Sequence, residues 1–219
     1  MTRSVASWFS SVALVAAVLV TAPAPALAGP PLICHPFEIG TAASLPFGAT
    51  SEGWRGWNAT LASYDRSRLV ADTLALLTPS TPVIVRMETL RRASAYAAES
   101  PALASALLAA VEARAPKVAR TKAEALALFD AGYLVETYRQ LGDRGVSMKV
   151  SIAGKDGYAM VSAALAQLPD DAGVHFAAAL MTTAPAQKAA HVQHLAKARQ
   201  GAKADTLLAR NLTTHYMGE

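Results

Sequence analysis

The chain holds a single cysteine, Cys34, so no disulfide can close within it. Aromatic residues are scarce at 6%, which leaves aliphatic side chains and alanine to build a core. Neither sign of charge dominates: 20 Lys and Arg stand against 16 Asp and Glu, a net +4 over 219 residues. No Lys/Arg run is interleaved with aromatics, and that excludes a nucleic-acid surface. No apolar run reaches the ~20 residues of a spanning helix, and no amphipathic stretch pairs a basic face with an aromatic one. No stable membrane insertion is therefore expected. Catalytic signatures are missing too. There is no Gly-x-Ser-x-Gly elbow. Lys155 in Gly154-Lys155-Asp156-Gly157 lacks the upstream glycine and the following Ser/Thr of a phosphate loop. These features indicate neither an enzyme nor a cofactor.

What is present begins with an export signature. Arg3 supplies a positive start, residues 12–20 an uncharged apolar run, and Ala26-Leu27-Ala28 a small-x-small cleavage pattern. Cleavage is expected between Ala28 and Gly29, with the product periplasmic or secreted. The apolar run is too short for a retained anchor. Cys34 lies past this site and follows Pro31-Leu32-Ile33, a poor context for lipid attachment.

Residues 29–63 differ from all that follows. Pro36 and Pro46 break helix, yet Phe37, Ile39, Leu45, Phe47, Trp54 and Trp57 are too apolar for a disordered tail. The expectation is an extended arm laid across a helical body. Residues 64–219 then carry helical periodicity over 65–77, 82–98, 101–115, 121–141, 156–168, 172–182, 185–200 and 205–216. Thr81 precedes Pro82 as a candidate cap, and Thr121 with Glu124 spells a capping box. In 82–98 the residues Val83, Met87, Leu90, Ser94 and Ala97 share a face, with Arg86, Arg91 and Arg92 mostly off it. Gly142 is read as the end of the 121–141 helix. Between helices, Val146, Met148, Val150 and Ile152 alternate with polar residues as a strand would. A lone strand is not stable, so the stretch is a loop or pairs with residues 32–39.

The fold class expected is all-α, with antiparallel helix pairs over 82–115, 121–168 and 172–200. Pairs of this length match the roughly 34–45-residue unit of helical repeats. In 174–205, Ala179 takes a small position of a first helix, and Leu195 and Ala198 take a large and a small position of a second. From about Pro82 onward the chain thus resembles tetratricopeptide-like helical-repeat proteins, departing at Thr182, His191 and Lys203. The resemblance implies a short solenoid whose concave face binds a protein or peptide, and it brings no catalytic residues. A closed bundle fits the pattern equally.

Few residues invite chemistry. Cys34 and His35 offer a thiol beside an imidazole, suited to redox or metal binding. Adjacent residues of an extended chain point apart, however, and Pro36 holds His35 extended. His191 and His194 share a helix face at i, i+3, and His175 can join from the neighbouring helix, but a metal needs three or four ligands. Trp54, Trp57, Tyr96 and Tyr133 are candidate contacts for a partner. The function expected is non-enzymatic: a helical-repeat-like protein that engages another envelope protein or peptide. The alternative is a thiol- or metal-dependent protein centred on Cys34 and His35.

Overall fold

The computed structural model describes residues 32–48, 58–143, 145–146, 150–202 and 206–216, and it is all-helical. A 3-10 turn, Arg66–Arg68, leads into α1 (Leu69–Leu76). There follow α2 (Val83–Ala97), α3 (Pro101–Glu112), α4 (Lys122–Asp143), α5 (Gly157–Leu165) and α6 (Ala172–Met181). A second 3-10 turn, Pro185–Gln187, precedes α7 (Lys188–Gly201), and α8 (Leu207–Tyr216) closes the described chain. Among the described residues there is no strand, and residues 146 and 150–152 form a loop. Val146, Val150 and Ile152 rest half-buried on the core.

Local chemistry sets the helix ends. Ser100 accepts from the amide of Leu103 with Pro101 opening α3, and Asp156 and Asp171 cap α5 and α6 in the same way. The Thr121–Glu124 box is formed: Glu124 N donates to Thr121 Oγ1 at 3.2 Å, and Thr121 N donates to Glu124 Oε2 at 3.0 Å. Thr81 does not cap α2. Its hydroxyl donates back to Leu76 O at 2.7 Å and tightens the turn between α1 and α2. Gly142 does not end α4 either. The helix continues to Asp143, and Gly145 takes the left-handed conformation (φ +76°). Gly145 N then bonds Gly142 O, and Val146 N bonds Leu141 O, the two bonds of a Schellman ending.

The centre of the molecule is α2. It packs against α1, α3, α4 and α6, and every residue of it except Arg92 is buried. Arg86 and Arg91 are each only 1% exposed. The expectation that they lie off the buried face therefore fails, because α2 has no solvent face for them. Residues 32–48 contain no helix and bury Leu32, Ile33, Cys34, Phe37, Ile39 and Leu45. A buried irregular segment must pair its backbone polar groups, and here side chains of the helices do so. Gln140 Oε1 accepts from Leu32 N, Arg92 Nη1 donates to Leu45 O, and Tyr96 Oη donates to Pro46 O. Asn211 of α8 accepts from Glu38 N at 2.9 Å and donates to Glu38 O at 2.8 Å.

The α4–α5 contact depends on two glycines facing each other. A Cβ on Gly132 would stand 2.7 Å from Gly157 O and 2.8 Å from Met160 Cβ; one on Gly157 would stand 2.5 Å from Gly132 O. Neither neighbour is a movable side-chain end. Gly157→Ala should destabilise the fold by about 1–3 kcal/mol through overpacking. Gly142→Ala, also on α4 but with nothing within 4 Å, should be neutral or stabilising by up to ~1 kcal/mol from helix propensity. Urea unfolding of both variants checks the pair. Equal effects would show that the helices are not in contact there.

Candidate functional site

Glu88, Arg91 and Arg92 fall at i, i+3 and i+4 on α2, so their side chains meet. Glu88 is 1% exposed. Arg91 donates to it through Nε at 2.7 Å and Nη2 at 2.8 Å, a bidentate pair. Arg92 Nε donates at 2.7 Å, and the backbone N–H of Phe37 adds a fourth bond at 3.0 Å. Burial works to raise the Glu88 carboxyl, but the two guanidinium groups hold it below the usual range. The Phe47 ring lies 5.0 Å from the Arg91 guanidinium and 5.7 Å from that of Arg92. These groups form one wall of a cleft of about 430 Å³. Residues 36–40, Gly48 and Thr214 complete it. Arg92 is the outermost member, 21% exposed at its side chain. Its Nε and Nη1 are used, and its Nη2 has no partner among the described residues. On this wall two guanidinium groups face the Glu88 carboxylate, while Glu38, on the other side of the lining, is paired with Arg210 at 3.4 Å.

A second buried pair joins α2 to α4. Arg86 Nη1 donates to Asp130 Oδ2 at 2.6 Å, and its Nε and Nη2 hold the carbonyls of Thr81 and Thr78. Asp130 Oδ1 is buried without a partner. Burial lifts the Asp130 carboxyl to about 6 against the pull of Arg86 and Arg114. This pair fixes the α1–α2 turn to α4 and lies under the surface, so it is structural.

The residues singled out from sequence separate into three places. Cys34 is 3% exposed within the core, and His35 beside it is half-buried. The helical body does bring an imidazole to this pair: the His215 ring lies 5.8 Å from that of His35, edge to face. His215 donates from Nδ1 to Asn211 O and stacks on Phe37 at 4.8 Å. The Nε2 atoms of His35 and His215 are both buried without a hydrogen-bond partner. Tyr96 and Tyr133 are fully buried and present no surface to a partner. The Tyr96 hydroxyl is spent on Pro46 O and Leu61 N. Trp54 and Trp57 lie outside the described residues.

His191 and His194 share a helix but not a function. His191 Nδ1 lies 2.9 Å from Ala179 O, near the end of α6. His194 Nδ1 instead meets His175 Nδ1 at 2.9 Å, and its Nε2 meets Tyr158 Oη at 3.0 Å. Among the described residues no three His, Cys, Asp or Glu are placed to hold a metal ion. The i, i+3/i+4 spacing of Glu88 with both arginines was available in the sequence as a signal. Asp130, Asn211 and Tyr158 carried none, because only the tertiary fold brings them to their partners. Comparison of the chain with protein-family models, with curated proteins and with solved structures found no match.

The His215 environment sets a pH dependence. Burial, chiefly, lowers its pKa to about 4 from about 6.5 in an unfolded chain. Between these values the unfolded state binds more protons, so stability is full above ~6.5 and falls as the pH drops toward 4, by up to about 3 kcal/mol. His215→Phe keeps the stacked ring and removes the titration. The stability advantage of the native chain over this variant should therefore shrink by roughly that amount between pH 7 and pH 4. Denaturant titrations at the two pH values measure it, and a constant difference would show that His215 does not titrate in this window.

Proposed function

We propose that this is an exported, non-enzymatic helical protein that holds an acidic segment of another envelope protein in the Arg91–Arg92–Phe47 cleft. The observation that carries the reading is the outer end of the Glu88–Arg91–Arg92 wall. Arg92 presents an Nη2 group with no partner among the described residues, beside an aromatic ring, in a cleft large enough for side chains. A guanidinium edge recognises carboxylates in a planar, paired manner, and the ring adds contact area for the ligand's apolar part. Apolar docking has less support. Val118 and Val192 are the large hydrophobic residues exposed among those described. A closed bundle is favoured over a solenoid, because α2 touches α6 as well as its neighbours in the chain, whereas solenoid units meet only adjacent units. Residues 29–63 are read as the arm, of which residues 32–48 lie on α2. Export rests on the sequence pattern of residues 1–28.

A fluorescein-labelled hexaglutamate peptide tests the cleft by anisotropy. Binding should weaken about tenfold or more in Arg92→Gln, the loss expected for one charge-assisted contact, and should fall with salt. No binding, or equal binding by the variant, would overturn the reading. Fractionation of an expressing bacterium tests export separately. The envelope form should begin at Gly29, and retention in the cytoplasm with residues 1–28 intact would refute it.

A further inference from the structure

A second cleft, of about 380 Å³, opens between α5, α6 and α7, away from the arginine cleft. Leu165 and Pro169 supply apolar lining, and His175, His194 and Lys197 bring nitrogen donors. Among the described residues no Asp or Glu lines it. His175 is 5% exposed and fixed at both ring nitrogens: Nε2 lies 2.9 Å from Pro169 O, and Nδ1 lies 2.9 Å from His194 Nδ1. Elementary hydrogen-bond logic then sets every proton. A carbonyl only accepts, so His175 Nε2 carries hydrogen. In a neutral ring its Nδ1 must accept, so His194 Nδ1 donates. His194 Nε2 is left to accept, and the Tyr158 hydroxyl donates to it. The neutral chain Tyr158→His194→His175→Pro169 has this one arrangement. One added proton is also accommodated: it goes to His194 Nε2, and Tyr158 Oη turns to accept it.

We infer that this cleft is a binding site for a small organic carboxylate with an apolar tail, and that binding takes up one proton on the Tyr158–His194–His175 chain. The carboxylate meets the Lys197 ammonium and feels the charge of the nearby imidazolium, whose two N–H groups stay on Tyr158 and His175, and the tail lies on Leu165 and Pro169. Lys197 is at hand for this role, because among the described residues its ammonium makes only a long 3.4 Å contact with Pro169 O. The groups facing His194 are Tyr158 from α5, His175 from α6, and His191 and Lys197 from α7 itself. None is acidic. Burial, then the neighbouring His175, Lys197 and His191, lower the His194 pKa, so in the empty cleft the His194 ring is neutral near pH 7. An entering anion reverses that balance, since a nearby negative charge favours the protonated ring.

Calorimetric titration of the full chain with sodium octanoate tests this. Saturable one-site binding is expected at pH 5.5, weakened about tenfold at pH 7.5 if the anion moves the chain's pKa by about one unit. The measured heat should vary with the ionisation enthalpy of the buffer, which reports proton uptake. Lys197→Gln should weaken binding at both pH values, and His194→Gln should remove the pH dependence. Arg92→Gln, in the other cleft, should change nothing. Should His194→Gln fail to fold, the imidazole ¹⁵N resonances of the native chain carry the test, and octanoate must shift His194 from its neutral toward its protonated position. Absent binding, pH-independent binding, or binding that depends on Arg92 rather than Lys197 would each overturn the proposal.

Discussion

The structure depends on keeping charge inside a helix that has no solvent face. Burying an unpaired guanidinium or carboxylate costs several kcal/mol, and α2 buries Arg86, Glu88 and Arg91 together. Arg86 is neutralised from another helix, whereas Glu88 and Arg91 neutralise each other. Arg86 takes Asp130 from α4 and two carbonyls from the α1–α2 turn. Glu88 takes two arginines of its own helix and the amide of Phe37. Residues 32–48 are therefore more than a cover. Their backbone completes the hydrogen-bond set of the central helix, and the helix completes theirs. Removing either partner would leave the other's polar groups buried and unpaired, the expensive side of a hydrogen bond. The apolar packing around α2 does not explain why an irregular segment sits there, but this reciprocity does.

This also explains which features could be read beforehand. Helix starts were legible because they rest on neighbours in sequence. Thr121 with Glu124, Ser100 before Pro101, and Asp156 and Asp171 each bond an amide three residues away or nearly so. The placement of α2 was not legible. Its apolar periodicity is that of a surface helix, and the arginines lie where solvent would be on that pattern. What buries them is a set of partners 44 to 58 residues distant: Asp130 for Arg86, Phe37 for Glu88 and Ile33 for Arg91. No local rule ranks such partners. Tyr96 and Tyr133 misled for a related reason: an aromatic with a polar tip suits an interface and an interior alike. Thr81 was a fair cap by type, but its hydroxyl found the free carbonyl of Leu76 instead.

The histidines show how far environment outranks residue type. At the His175–His194 pair each ring nitrogen has a partner, and the protons fall into one order. At the His35–His215 pair two ring nitrogens are buried with none. The first arrangement can gain a proton without breaking its chain, because Tyr158 can both donate and accept. The second has no such reserve: a proton on His215 would be buried against the Phe37 and Phe176 rings. One pair is thus suited to respond to a ligand and the other to hold packing. The thiol of Cys34 shares the second environment, enclosed at 3% exposure.

The two clefts follow from the same economy of polar groups. Some buried polar atoms stay unpaired, Asp130 Oδ1 and the Nε2 atoms of His35 and His215 among them, but the capacity a ligand could reach lies where the polar sets meet the surface. Arg92 is the member of the Glu88 cluster that reaches outward. Lys197 and His194 stand at the outer edge of the imidazole chain. Lys197 is exposed and makes one long contact, whereas Arg92 is held by contacts that fix its position yet leave donor capacity unspent. That combination distinguishes a preorganised site from an exposed charge, whose ordering cost consumes most of what it gains on binding. Large exposed apolar residues are few among those described, so charge and hydrogen-bond geometry, more than apolar surface, set the character of both clefts.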